Sequence, residues 1–369
     1  MRVSKSFFSL LALIMLTGCW DAVNIEERGF ILGMAIDLAE EKDANGNYQL
    51  LLTNQFAVPS GLGTPSGGGG GKGFMNITES GYSIYSMAQD LANQTNKLPF
   101  FEHLKVIIIS KEVASKPQLF ANVMDVFIRN RDTRRGIKVI IAKEKAMDLL
   151  NIQPEIEKIP IRFIDRILEN SLKKTGEMKP VRVGDIHEYL LNKSSFVLSE
   201  VSPNDTKINF DGGVVYKGDS SKVDGSLTLD EMLGYELIIG EKVRGPIEVN
   251  YNDKLTVYSI IASKSKIKID AKEPENITIN VTIELEGEMQ ETFGTVLLQK
   301  KGVIQEIEQL VIKKVEKLVK DTITKAQEEL KADIFGFGDN LNKFHHHTWE
   351  KVKKIGIEER TPLVKLMLM

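Results

Sequence analysis

Cysteine is all but missing from this chain. Among 369 residues there is one, Cys19, which excludes an intrachain disulfide and any cysteine-rich metal centre. Histidine is scarce too, with five residues, and neither H-E-x-x-H nor G-x-S-x-G occurs. That removes the usual zinc-hydrolase and serine-hydrolase constellations. There is no surplus of positive charge: Lys plus Arg is 48 against 51 for Asp plus Glu, a net charge of −3. A mildly acidic chain is a poor match to phosphate-driven nucleic-acid binding. Beyond residue 16 no stretch approaches the roughly 18 consecutive apolar residues of a membrane-spanning helix. Core material is plentiful, at 42% hydrophobic and 27% charged residues, so a wholly disordered chain is excluded. The length sets a prior of two or three domains.

Residues 1–18 are the most specific segment. Arg2 and Lys5 form a positive start, Phe7 to Leu16 an apolar run, and Thr17-Gly18 a pair of small residues before Cys19. The pattern is that of a secretory signal. Leu16-Thr17-Gly18-Cys19 is also similar to a bacterial lipobox, in which the thiol takes a diacylglyceryl group and cleavage frees the cysteine amine for a further acyl chain. Cys19 is therefore the expected lipidation site, and two or more chains suffice for stable anchoring where one is marginal.

The remainder reads as mixed α/β. Gly29–Leu38 and Tyr48–Val58 alternate as two strands of a hairpin turned at Asn45-Gly46. PSGLGTPSGGGGGKG at 59–73 is a flexible loop; two of the four fixed positions of a phosphate loop fail there, with Ser66 first and Gly73 last. Ser83–Thr95 has helical spacing, Leu104–Ser110 is a buried strand, Lys111–Ile128 a helix, and Ile137–Ala142 another buried strand followed by a short helix to Leu150. Residues 151–203 are helical at first, with a polar stretch Ser194–Ser202 ending at a Pro203-Asn204-Asp205 turn.

After that turn, Ile208–Tyr216 is a strand interrupted by Gly212-Gly213, Lys217–Leu227 a charged turn, and Leu229–Leu237 a helix. Strands follow at 246–251, 255–262, 264–271 and 277–285. From Ile304 the apolar residues Ile307, Val311, Val315, Leu318, Thr322, Ala326 and Leu330 step by three and four. They mark one long amphipathic helix, whose stripe must lie on something apolar; the preceding strands are the natural floor. The expected fold is α+β or mixed α/β, multi-domain, each module a sheet flanked by helices. The expected division is signal peptide 1–18, an N-terminal α/β region 19–203 with room for two modules, and a C-terminal α+β domain 204–369.

No catalytic, metal or cofactor residues are expected. His345-His346-His347 point about 100° apart on a helix, so the three cannot all face one ion. His103 and His187 are isolated, and Asp21 and Asp37 are too separated to count as a carboxylate pair. Asn76, Asn276 and Asn280 open glycosylation sequons, an unsuitable reading for a bacterial lipoprotein. The basic run Arg129–Arg135 suits a membrane surface or an acidic partner, and equally a solvated connection.

Several stretches together resemble the Ger(x)C spore germination lipoproteins. They are Cys19-Trp20-Asp21 with Ile25–Gly33 and Ile36-Asp37, Phe101–Ile109, Asp125–Arg135, Gly212–Tyr216 with Leu227–Leu233, and Lys331–Gly338. The resemblance covers nearly the whole chain after Cys19. The tail departs from it: Trp349 is present, but Glu350–Met369 is short, and Leu363–Met369 alone is left to supply a closing strand. The resemblance implies a non-enzymatic, lipid-anchored C subunit of a nutrient germinant receptor. It would sit on the outer face of the inner spore membrane, beside membrane-embedded A and B subunits, held to lipid through Cys19, with no cofactor. The alternative is a lipid-anchored solute-binding protein that captures the germinant directly. An apolar pocket of about 300–1,000 Å³ with a few polar groups favours that alternative, and a large apolar patch favours assembly.

Overall fold

The computed structural model describes residues 25–43, 45–62, 71–131, 133–171, 179–241, 243–272, 277–294, 299–355 and 363–368. Among these residues nine strands form a first sheet and four a second. The fold class is the expected mixture of sheets flanked by helices with one long helix near the C-terminus.

The first sheet is built on three parallel strands. These are β1 (Arg28–Lys42), β5 (Val106–Ser110) and β6 (Lys138–Ala142), with Gly33, Val106 and Lys138 in line. Antiparallel strands extend both sides: β2 (Tyr48–Ala57) and β3 (Phe74–Gly81) beyond β1, and β8 (Lys207–Lys217) and β9 (Lys222–Leu227) beyond β7 (Phe196–Asn204). β7 lies parallel to β6, and short β4 (Leu98–Phe100) runs parallel to the first residues of β1. Every residue of β5 and β6 is buried, because both sheet faces are covered. One face carries helices Ile84–Asp90, Leu119–Arg129 and Val183–Asn192; the other carries Ala146–Leu149 and Pro160–Asn170. The second helix layer comes so close that a Cβ on Gly33 would lie 2.2 Å from Ile161 Cγ1, so only glycine fits.

The second sheet runs β10 (Gly245–Tyr251), β11 (Lys254–Asp270), β12 (Thr278–Thr292) and β13 (Leu363–Leu368). Its first three strands are antiparallel neighbours, and β13 joins β12 in parallel. The helix Val303–Thr324, continued by a π-helical stretch Lys325–Leu330, lies across it. Ile307, Val311 and Val315 pack with Ile279, Val281 and Ile283 of β12, as the spacing predicted, while Lys313, Lys317 and Lys320 are exposed. Val197, Val215 and Leu227 of the first sheet meet Ala326, Leu330 and Ile334, which joins the two halves.

Several expectations need correction. Ser194–Ser202 is not a polar coil but the buried strand β7, since Phe196, Leu198 and Val201 face two different helix layers. Its buried Glu200 is neutralised by Lys111 at 2.7 Å. The charged turn at 217–227 contains strand β9, whose Lys222 and Asp224 side chains project from an outer strand. Strands β3 and β4 were not anticipated. Gly212 does not interrupt β8; with φ 119° it pairs with Glu200 beside a bulge whose extra residue is Asp211. The stretch 111–128 breaks around Pro117, with Gln118 in a left-handed conformation, into helices Lys111–Ala114 and Leu119–Arg129. The segments 255–262 and 264–271 are one strand, β11, kinked by a bulge between Ile260 and Ala262. Ile304 is exposed, because it starts the helix off the buried stripe. The tail does supply a closing strand, β13. Apart from these corrections, β8 and β9, which follow the β7–β8 hairpin turn, are strands of the first sheet.

Candidate functional site

Cys19, Trp20 and Asp21 lie outside the described residues, as does most of the glycine loop at 63–70. Where β1 begins, the Arg28 guanidinium sits 4.3 Å from the centre of the Phe100 ring. Phe30, Phe100 and His103 form a ring cluster with centroids 5.3–5.7 Å apart. His103 is thus an exposed member of an aromatic patch, placed there by β4 pairing with β1. Lys97 ties the same end down by donating to the Glu26 carbonyl.

A concavity with polar walls lies between the antiparallel helices Leu119–Arg129 and Val183–Asn192. It is an open groove of about 880 Å³ lined by Asn122, Asp125, Ile128, Arg129, His187, Leu190 and Leu191 among others. The helices stand side by side because Phe127 and Ile186 are both buried on the sheet, leaving their outer edges to form walls. Leu191 is 70% exposed, unusual for a large apolar side chain on a helix that packs. Arg129 Nε donates to both oxygens of Asp125, at 2.8 and 2.7 Å, which holds the guanidinium above even its ordinary pKa. A second hollow of about 420 Å³ shares Ala121 and Leu190 and adds Gln118, Lys193, Tyr216 and Asp219. The groove therefore offers an apolar floor, a fixed Arg–Asp pair and one imidazole. It brings together His187 and the start of the basic run, which the sequence left unconnected.

Other singled-out residues have architectural work. Asp37 accepts from the N–H groups of Ala146, at 2.6 Å, and Met147, at 2.9 Å. It thereby caps a helix 109 positions away, and burial raises its pKa against the pull of those two bonds. Asn76 is consumed in a network: its amide donates to Leu150 O and Asn151 Oδ1, while its carbonyl accepts from Gln55 Nε2. Asp333, within the Lys331–Gly338 stretch, accepts from Phe335, Phe337 and Gly338 N–H, the last at 2.6 Å. It opens the helix Phe337–Phe344, and burial raises its pKa. His345 lines a shallow hollow beside Asp270, and His346 pairs with Asn342 at 3.0 Å. Among the described residues no group of three or more His, Cys, Asp and Glu is placed to hold a metal ion. The buried Lys138, with Asp165 at 2.5 Å and Glu169 at 3.3 Å, escaped sequence reading because its partners arrive from a helix about 30 positions later.

A nine-stranded mixed sheet followed by a smaller, helix-backed sheet, with polar structural caps and a helix-walled groove, defines a two-sheet mixed α/β protein. The sequence profile described as "Spore germination protein N-terminal domain" matches residues 21–203, and "Spore germination B3/ GerAC like, C-terminal" matches 211–359. The chain belongs to the Ger(x)C family of spore germination proteins. It is 30% identical to spore germination protein YndF of Bacillus subtilis (strain 168), over 93% of this chain and 89% of the relative. Spore germination protein A3 of the same organism is 28% identical, covering 93% and 90%, and B3 is 27% identical, covering 95% and 91%. The crystal structure of the GerBC protein has the same fold, with a TM-score of 0.59 at 22% identity over 91% of this chain and 97% of that one. The family supports a role in spore germination as the C subunit of a germinant receptor, and with it membrane association. Among the described residues no helix is long and apolar enough to cross a membrane.

Proposed function

We propose that this protein is a lipid-anchored, non-enzymatic C subunit of a nutrient germinant receptor, tethered through acylated Cys19 on the outer face of the inner spore membrane. It works by assembling with, or relaying signal to, membrane-embedded A and B subunits. The observation that carries the reading is the family match through both halves of the chain. The modules 19–203 and 204–369 act as one body in this reading, because the first sheet runs through position 203/204. The test is co-purification of the tagged protein with the other receptor subunits from spore membranes, beside nutrient-triggered germination of a strain lacking it. Loss of germination together with co-purification supports the reading. Normal germination without the protein, or no association with any receptor subunit, refutes it. Cys19→Ala is expected to leave an uncleaved precursor or a soluble protein.

A second reading, direct capture of the nutrient, is favoured by the volume of the helix groove, which falls in the range of small-ligand sites. Under it, His187→Ala and Arg129→Ala raise the nutrient concentration needed for germination without changing protein level. Unchanged dose response in both variants removes it.

A further inference from the structure

Basic residues gather at one end of the first sheet. β1, β5 and β6 all start at one end. There the Lys105 N–H donates to Leu32 O at 2.9 Å, and the Lys105 carbonyl accepts from Lys138 N at 3.0 Å, so the three strand starts are stitched side by side. The chain enters β6 through the basic connection. Val183 N donates to Ile137 O at 2.9 Å and Gly184 N to Arg135 O at 3.0 Å, which draws Arg182 in beside it. Lys105, Arg131, Arg134, Arg135 and Arg182 therefore share one rim, and all five are exposed. Among the described residues, no carboxylate lies within ion-pair distance of Arg131, Arg134 or Arg135. The acids of this neighbourhood are fewer than its cations: Asp125 holds Arg129, Asp185 accepts from Arg182 N at 2.9 Å, Glu102 faces solvent, and Asp132 stands in the run itself. A local excess of positive charge raises the local potential and favours an anionic partner.

The same rim is where the chain arrives. β1 extends from Gly33 back to Arg28, roughly 16 Å at strand rise, and this extension carries the aromatic patch of Phe30, Phe100 and His103 with Leu98, which is 52% exposed. Aromatic and basic side chains together suit the headgroup layer of a bilayer. Only eight residues separate Cys19 from Arg28, a reach of at most about 30 Å. A lipid on Cys19 would hold the Arg28 end of β1, and the rim beside it, within that reach of the bilayer.

We propose that the rim formed by Lys105, Arg131, Arg134, Arg135 and Arg182 binds the anionic headgroups of the anchoring membrane and so sets the orientation of the protein on it. The proposal rests on the Cys19 anchor reading. Arginine forks match phosphate oxygens two at a time, and a basic cluster beside an acyl chain is a recognised second membrane signal. The rim docks the strand starts against the lipid and leaves the helix groove open beside the bilayer.

The test uses residues 19–369 carrying Cys19→Ala, so that no acyl chain contributes. The chain is mixed with vesicles of phosphatidylcholine alone, or with about one-third phosphatidylglycerol. Binding only to the anionic vesicles, weakened by salt, is expected. Arg131→Glu, Arg134→Glu and Arg135→Glu together should lower that binding by about tenfold or more. Lys313→Glu, Lys314→Glu and Lys317→Glu, the same change on the exposed face of the long helix, should leave it unchanged, and both triple variants should melt like the parent. No binding, equal binding to neutral vesicles, or equal loss in both triple variants overturns the proposal. Capture of an acidic receptor subunit by the rim without vesicle binding also overturns it. The anchor is read separately: the acylated chain with the reversed rim should stay on membranes at high salt. If it washes off there, the anchor reading fails.

Discussion

The two sheets of this protein bury themselves differently. β5 and β6 are buried at every residue, whereas β12 alternates buried and partly exposed positions from Thr278 to Ile283 and then turns outward. The first sheet has helix layers on both faces, so its central strands are written as unbroken runs, VIIIS and KVIIA. The second has one helix-covered face, so its strands are written with period two. The stripe of the long helix supplies much of the second sheet's core, with Leu237 and Ile238 of the helix Leu229–Ile239 beside it, while the first sheet has helices on both faces.

The largest effect should come from striking that stripe. Val311 is 4% exposed, and Val311→Asp would bury a carboxylate without a partner, at a cost of roughly 3–5 kcal/mol. A melting curve like that of the parent would break the comparison, since the stripe would then not be buried. Next, Ile140→Ala in the doubly covered sheet should cost about 3–4 kcal/mol by denaturant unfolding, and Ile267→Ala in the singly covered sheet less than about 1.5 kcal/mol. Ile140 is fully buried and Ile267 only partly. Equal costs would mean the outer end of β11 is covered by something else.

Asp165→Ala should cost about 2–3 kcal/mol, because it leaves the buried Lys138 ammonium with only the longer bond to Glu169 and a backbone carbonyl. The pH dependence of Asp333 is a smaller effect. Its folded pKa is raised by burial, so the folded state holds its proton more tightly than the unfolded chain does. The contribution is present below the ordinary carboxylate range and is lost as pH rises through the folded value. The stability difference between parent and Asp333→Asn should therefore shift against the parent as pH climbs from about 3 to neutrality. A difference that does not vary with pH would show that Asp333 is not desolvated. Smallest of all, Lys313→Asp on the exposed face of the long helix should change stability by less than about 0.5 kcal/mol. If it nevertheless stops germination at normal protein level, that face meets a partner.

Much of the fold is legible in local sequence pattern. The buried strands at 106–110 and 138–142, the helix from 303 to 330 and its packing on β12 were all readable, because each rests on local periodicity over several turns or residues. Most misreadings fall where a neighbour decides. β7 looked polar because Ser199 and Glu200 interrupt its apolar residues; only Lys111, 89 positions away, makes Glu200 affordable inside. β9 looked like a turn because it is an outer strand with charged side chains.

What the amino-acid sequence determined by itself is the strongly periodic strands and helices and the family to which the chain belongs, since both follow from short-range pattern and residue identity. The signal and lipobox pattern around Cys19 is likewise a matter of sequence alone. The tertiary structure decided which distant groups meet. It set the cap from Asp37 on Ala146, the polar network of Gln55 and Asn76, the groove between two helices, and the gathering of Lys105, Arg131, Arg134, Arg135 and Arg182 on one rim. Each of these joins residues through the order of strands in a sheet, and strand order is a property of pairing across space that no local spacing records.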